Sequence, residues 1–394
     1  MKHNFDEIIN RKNIRSSKWD KCNEKFGVDK NIEMIPMWIA DMDFNSPKEV
    51  IEVIKERANT GNYGYSPFTD SFYDAIISWF DKRHNCHIKK EWIVFTPGVI
   101  PGFNIVIQNF TKENEGVIIQ QPVYYPFMDG INNNNRKIVN NQLIETDGYY
   151  KIDFNDLENK CKDKNNKLMI LSNPHNPVGR SWTKDELLTI GKICTENGVL
   201  LLSDEIHSDL TMKNYKHTVA LNLSDAISEN CIVEHSASKT FNLAGLQTAY
   251  NIIPNENIRK QFIKGLNANR IFNPNWFGPI ALETAFKNCE YYVDELCEYV
   301  DNNMEYMKNF IDTNIPKLKM KKSEATYMVW VDFRGTGMSS EEIEHFISHD
   351  AHIGVDYGSW FGEAGKGFLR FNLACPRAIL EKAMEQLLKA FNNK

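Results

Sequence analysis

The chain has 394 residues, 42% hydrophobic and 12% aromatic, enough for two domains or one large domain with a satellite. A net charge of −6 and no isolated Lys/Arg block argue against a nucleic-acid partner. No apolar run approaches the ~20 residues that span a bilayer. The stretch from Met1 to Glu7 lacks a signal-peptide core, and the 8 scattered cysteines form no C-x-x-C pair, so the expected setting is the cytoplasm with reduced thiols.

Taken in order, Ser46-Pro47-Lys48-Glu49 predicts a helix start with Ser46 as cap, Pro47 at the first position and Glu49 closing a capping box. Val50, Val53 and Ile54 supply its apolar stripe, and Gly61 follows its end. Phe72, Ile76, Trp79 and Phe80 mark a second helix by their spacing. Trp92 to Phe95 reads as a short strand running into Thr96-Pro97-Gly98, with an apolar helix to Phe110. Val117–Ile119 and Leu168–Leu171 are further strands. Thr183-Lys184-Asp185-Glu186 is another capping box, its helix stopping at Gly198, and Val199–Leu202 and Cys231–Glu234 are two more strands. Aliphatic strands alternating with amphipathic helices predict an α/β fold, a mostly parallel sheet with helices on both faces.

The character changes after about residue 290. A long polar helix spans Tyr291 to Phe310, Tyr327–Phe333 alternates as a strand, and a helix is expected near 339–349. A strand at Phe368–Phe371 precedes a final helix carrying Leu380, Met384, Leu387, Leu388 and Phe391 on one face. This predicts a smaller α+β domain, residues 286–394 with the N-terminal segment 1–45, beside a large domain over 46–285.

Ligands in such sheets lie at the carboxyl ends of strands, and the unusual residues fall there. Asp204 ends an apolar run, where a carboxylate is costly to bury without a cationic partner. Lys239 follows 35 residues later in the hydroxyl-rich turn Ser236-Ala237-Ser238-Lys239. One ligand satisfies both, pyridoxal phosphate. Its pyridinium nitrogen takes a carboxylate, its aldehyde an amine, and its phosphate hydroxyls and backbone N–H groups. An ordinary ion pair across two strand ends is the other reading of these residues. Thr96-Pro97-Gly98-Val99-Ile100 places a helix N-terminus where a phosphate would lie, or is simply a strand-to-helix turn. Tyr124 in Pro122–Pro126 offers an aromatic face to a planar ring, or fills a core rim. The double Asn-Pro loop Ser172–Gly179 aims amides outward, with Asn176 suited to a phenolate oxygen. Arg370 interrupts an apolar strand and offers a bidentate fork to a carboxylate, from a ligand or from the protein.

Together, Pro97-Gly98-Val99, Asn173 to Gly179, Ser203-Asp204-Glu205-Ile206-His207, Ser236 to Lys239 and Arg370-Phe371-Asn372 resemble fold-type-I pyridoxal-phosphate enzymes of the class I/II aminotransferase-like family. Trp38 to Phe44, Tyr63-Gly64-Tyr65-Ser66, Asp204 to His207, Lys239 to Asn242 and Ala374 to Arg377 resemble its cystathionine β-lyase branch, the MalY/PatB-type C–S lyases. The resemblance covers essentially the whole chain and implies a seven-stranded type of sheet. It also implies roles. Lys239 holds the cofactor aldehyde and then carries the Cα proton, Asp204 pairs the pyridine nitrogen, Asn176 bonds O3′ and Tyr124 stacks on the ring. Arg370 binds the substrate carboxylate, while Gly98, Val99, Ser236 and Ser238 surround the phosphate. Tyr65 would reach the phosphate of a neighbouring subunit, which implies a homodimer.

Two positions depart from the wider aminotransferase pattern. His207 stands where that pattern has a tyrosine beside O3′, and Gln247 where it has a phosphate-binding arginine. No metal site is expected: His84-Asn85-Cys86-His87 reads as a loop and His345/His349 as a helix surface. The implied activity is β-elimination from cystathionine or a related cysteine S-conjugate, giving thiol, pyruvate and ammonia. An aminotransferase using the same lysine is the nearest alternative, and a cofactor-bearing regulatory binding protein the third.

Overall fold

A computed structural model describes residues 3–393. The main sheet has seven strands: β1 (Ile93–Thr96), β2 (Gly116–Ile119), β3 (Lys137–Asn140), β4 (Asn166–Ser172), β5 (Leu200–Asp204), β6 (Cys231–His235) and β7 (Ala249–Ile252). Their order is β1-β7-β6-β5-β4-β2-β3, parallel throughout except β7, which runs against both its neighbours.

Period-two alternation decides which side chain faces which helical layer. Val117, Ile119, Leu168, Ile170, Leu200 and Leu202 share one core with Phe103, Phe127 and Phe262, from the helices Val99–Phe110, Pro126–Asn133 and Glu256–Ala268. Ile118, Met169, Leu171 and Leu201 face the opposite core. There they meet Ile76 and Trp79 of the helix Asp70–His84, Leu187 and Ile190 of Lys184–Asn197, and Ala281 and Leu282 of Phe277–Asn288. Both faces are covered, which is why these strands read as continuous aliphatic runs.

A second sheet holds β8 (Lys319–Met320), β9 (Met328–Asp332), β10 (Asp356–Tyr357) and β11 (Phe368–Asn372) in the antiparallel order β8-β9-β11-β10. The helices Glu290–Asn314 and Arg377–Asn392 bury Met304, Met307, Leu380, Met384 and Leu387 with it. The N-terminal segment joins this part through parallel pairing of Ile35–Pro36 with Ile353–Gly354.

The capping box at Ser46 does not form. The helix begins at Lys48 with Pro47 in the cap position and no side-chain cap. The Ser46 hydroxyl is turned to the carbonyl of Asn242 (3.4 Å), and Glu49 accepts from the Tyr291 hydroxyl at 3.0 Å. Long-range partners thus take both groups that the local motif needed. The Thr183 box forms as expected, and Gly198 ends that helix at φ 71°. The helix expected near 339–349 splits into an α-helical turn, Ser340–His345, and a wider π turn, Phe346–Asp350. Among the described residues no helix is long and apolar enough to cross a membrane.

Candidate active site

The carboxyl ends of β1, β2, β4, β5 and β6 converge on a cavity of about 200 Å³. Its walls include Gly98, Val99, Tyr124, Asn176, Asp204, His207, Ser236, Ser238 and Lys239, joined by Ala40 and Gln247. Only two of the residues singled out in the sequence stand off it. Arg370 lies one hydrogen bond behind, its guanidinium donating to Asn176 Oδ1 at 2.8 Å. Tyr65 is 91% exposed and meets nothing of the cavity in its own chain.

Register across the sheet sets the floor. Ser172 of β4 pairs with Asp204 of β5, which pairs with Glu234 of β6, so Asp204 ends the central strand at the cavity. Among the described residues its carboxylate accepts the backbone N–H of Ile206 (3.2 Å) and no other hydrogen bond. Burial pushes its pKa up to about 7, a rise that the Ile206 N–H and the Lys239 charge only partly offset. No lysine, arginine or histidine forms an ion pair with it among the described residues. A buried carboxylate facing a cavity without a cation suits a protonated ring nitrogen.

Opposite, the Lys239 amine donates to the carbonyl oxygen of Ala40 at 2.7 Å. Burial lowers its pKa to about 8, with Asp41 pulling upward and Arg370 downward. The neutral amine, the form that attacks an aldehyde, is therefore accessible near neutral pH. Asn176 lends its amide oxygen to Arg370, which leaves its NH₂ to donate into the cavity. His207 is buried with Nδ1 unpartnered and its ring edge-on to Tyr327, and burial holds its pKa well below the usual value, so the ring is neutral.

A helix N-terminus supplies the anion end. The helix Val99–Phe110 starts behind Gly98 without a side-chain cap, so its first backbone N–H groups are free at the cavity wall. Ser236 donates to the Thr248 carbonyl at 2.7 Å and accepts the Ser238 N–H at 3.0 Å, which fixes the turn before the lysine. The chemistry of this set fits pyridoxal phosphate: free donors at an uncapped helix start, an aromatic face at Tyr124, an amide NH₂ at Asn176, a buried carboxylate at Asp204 and an amine at Lys239.

The segment Trp38–Phe44 carries a part that the sequence analysis did not foresee. Asn242, three residues past Lys239, accepts from Met42 N–H and donates to the carbonyls of Met42 and Phe44. Asn372 donates to the carbonyls of Ile39 (2.7 Å) and Asp41 (2.6 Å), and Tyr327 to that of Ala40 (3.0 Å). From the other side the buried Lys18 pairs with Asp43 at 2.7 Å, and Arg11 with both Asp41 and Asp43. Trp38-Ile39-Ala40-Asp41 thus lies as a strap over the lysine. Asp356 is a second missed residue. It is buried, it pairs with Arg370, and burial raises its pKa to about 6 against the pull of Arg370 and Lys25.

The histidine clusters named in the sequence have protein partners. His84 shares Asp209 with Trp79 Nε1 and the Thr240 hydroxyl, and His87 pairs with Asp81. His345 and His349 stack on one another. His84, Asp209 and His235 bring three ligand-type atoms within 4.8 Å. Both His235 nitrogens are engaged, by Ser208 and by the Tyr250 hydroxyl.

The family model for aminotransferase class I and II matches residues 32–387. Cystathionine β-lyase PatB of Bacillus subtilis (strain 168) is 39% identical over 99% of this chain and 100% of that protein. Protein MalY of Escherichia coli (strain K12) is 30% identical over 98% of each. Among solved structures, cystalysin from Treponema denticola, which contains a pyridoxal 5′-phosphate cofactor, superposes with a TM-score of 0.97. It is 39% identical, with 100% of both chains covered.

Proposed function

Because the chain belongs to the class I and II aminotransferase family, we propose that it is a pyridoxal-phosphate-dependent carbon–sulfur lyase acting on cystathionine or related cysteine S-conjugates. The observation that carries the reading is the pair facing one cavity: Lys239 with its lowered pKa, and Asp204 buried without a cation. Relatives of like length that are named cystathionine β-lyases support the choice of reaction.

When bound, pyridoxal phosphate supplies an electron sink for the charge that develops at the substrate's Cα. Arg370 takes the α-carboxylate with a guanidinium already oriented by Asn176 and Asp356. Lys239 removes the Cα proton, as a neutral amine once released from the cofactor aldehyde. Asp204 would pair the ring nitrogen and keep it protonated, and the Asn176 NH₂, left free by the bond from Arg370 to its oxygen, would donate to O3′. The first N–H groups of the helix Val99–Phe110 and the Ser238 hydroxyl would hold the phosphate, beside Ser236, whose own hydroxyl proton is given to the Thr248 carbonyl. Neutral His207 and Gln247 bring no charge to their ends of the cofactor. The sulfur leaves Cβ as a thiolate with its bonding pair, and water releases pyruvate and ammonia.

The enzyme is read as a cytoplasmic homodimer in which Tyr65 completes the partner's phosphate site. Supporting this, Tyr65 is 91% exposed on a loop tethered by a Trp276 Nε1 hydrogen bond to the Gly64 carbonyl. The large domain is taken as 46–285 and the small one as 1–45 with 286–394. The deciding experiment incubates purified protein with L-cystathionine, without a keto acid, and follows pyruvate and thiol together. Equal release of both over many turnovers supports the lyase. A keto acid that appears only with an added amino acceptor makes the chain an aminotransferase instead.

A further inference from the structure

Beside Arg370 a chain of aromatic rings runs from Tyr124, on the cavity wall, to Trp360. Tyr124 lines the cavity, its ring 5.7 Å from Tyr125. Tyr125 stands edge-on to both Trp360 (6.2 Å) and Phe361 (5.8 Å). The Arg370 guanidinium lies 5.0 Å from the centre of Phe361, so Arg370 and this wall share one side of the site. The wall is rigid for a reason: Phe26, from the short helix Cys22–Phe26, stacks flat against Trp360 at 6.3 Å, and Tyr357 packs against both rings.

A single cation sits at its outer end. The Lys25 ammonium lies 4.3 Å above the Trp360 ring, exposed, and pairs with no carboxylate among the described residues. Its neighbour Glu24 is taken by Lys21. Lys25 is also near enough to Asp356, the partner of Arg370, to draw down that residue's affinity for protons. Two cations thus act on Asp356: Arg370, held behind the cavity, and Lys25, exposed above Trp360.

We propose that Tyr125, Trp360 and Lys25 form the subsite for the sulfur substituent of the substrate, and that it selects substituents ending in a carboxylate. The thioether and its methylenes lie along the aromatic faces, where sulfur and CH groups make favourable contacts, and the terminal carboxylate meets Lys25. The inference rests on the lyase reading for the identity of the substituent. It adds what that reading leaves open, a preference for long anionic conjugates over short neutral ones.

The test uses holoenzyme and two thioether acids that lack an α-amine and cannot react, 3,3′-thiodipropionate and 3-(methylthio)propionate. Calorimetry should show the dicarboxylate binding roughly five-fold tighter, the range of a partly exposed ion pair. Lys25→Met, which keeps the aliphatic stem on Trp360, should reduce the difference to the statistical factor of about two that a symmetric diacid carries, and Lys25→Arg should restore it. A preference no larger than that statistical factor in the unmodified enzyme, or a preference undiminished in Lys25→Met, overturns the subsite. Turnover of L-cystathionine and S-methyl-L-cysteine is read in parallel. If the binding preference follows Lys25 while neither compound is cleaved, the subsite stands and the lyase reading falls.

Discussion

Lys239 and Ala40 meet across 199 residues of sequence, the lysine amine donating to the alanine carbonyl oxygen at 2.7 Å. The contact joins the sheet-borne lysine to a strap pinned by Asn242, Asn372 and the buried Lys18–Asp43 pair. The amine is thereby held buried at the cavity wall, with no carboxylate in ion-pair contact among the described residues. That setting is the cause of its lowered pKa and the basis of its readiness to react.

Replacing the amine should remove both covalent attachment and proton transfer. Lys239→Ala is expected to lose the visible absorbance of bound cofactor and to cut turnover by at least ~10²–10⁴-fold, the contribution of a positioned base. Spectra and pyruvate release on the same preparation check this. Retention of both signals would remove Lys239 from the chemistry.

Cofactor capture should carry the signature of the depressed pKa. A lowered lysine pKa puts the neutral amine in the majority above about 8, where an ordinary lysine would need about 10.5. The rate at which cofactor-free protein takes up pyridoxal phosphate should rise through pH 8 and level off above it. In the same window the unfolded chain binds a proton that the folded chain does not, so cofactor-free stability should gain as pH rises from about 8 toward 10.5. A midpoint of uptake near 10.5 would mean that burial does not tune the amine.

Removing Arg370 should affect binding and stability together. Arg370→Ala leaves Asp356 buried and without its partner, and loss of one member of such a pair costs about 3–5 kcal/mol. Urea melts of Arg370→Ala and of Arg370→Ala/Asp356→Ala separate the effects. The double variant should recover part of the stability, while its KM for L-cystathionine stays raised by roughly ten-fold or more, the worth of hydrogen bonds to a charged group.

Gly179 is the one glycine of the Asn-Pro loop, at φ 73°, and a Cβ there would stand 2.3 Å from the Ser323 hydroxyl and 3.0 Å from its Cα. Gly179→Ala must therefore displace either the 173–179 loop or the 323–325 segment that accompanies it. A loss of about 1–3 kcal/mol, as for other overpacked sites, with weakened cofactor retention through Asn176 is the expected outcome. Thermal melts with and without cofactor measure it, and an unchanged profile would show the loop to be free of that constraint.

The proposed sharing of sites between subunits predicts complementation. Tyr65→Ala and Lys239→Ala preparations, each inactive or weak, should regain activity when mixed and refolded together, because a hybrid dimer holds one site free of both changes. Sedimentation of the mixture confirms the assembly. Failure of a hybrid dimer to recover activity would confine Tyr65 to its own chain.

Much of this was legible in the sequence because it is written locally. Strand ends, the capping box at Thr183, the apolar stripes and the chemistry-bearing residues Asp204, Asn176, Lys239 and Arg370 each declare themselves within a few positions, and the regular alternation of strand and helix brings strand ends to one edge. The Ser46 box is the instructive exception. Its local signal is sound, yet Asn242 and Tyr291, both distant in sequence, claim the two side chains. Tertiary structure alone decided that Ala40 covers Lys239, that Asp356 backs Arg370 and that Lys25 stands over Trp360. Those relations join the N-terminal segment, the main sheet and the second sheet. The spacing of residues along a strand or helix carries local periodicity and no information about which distant surface will press against it.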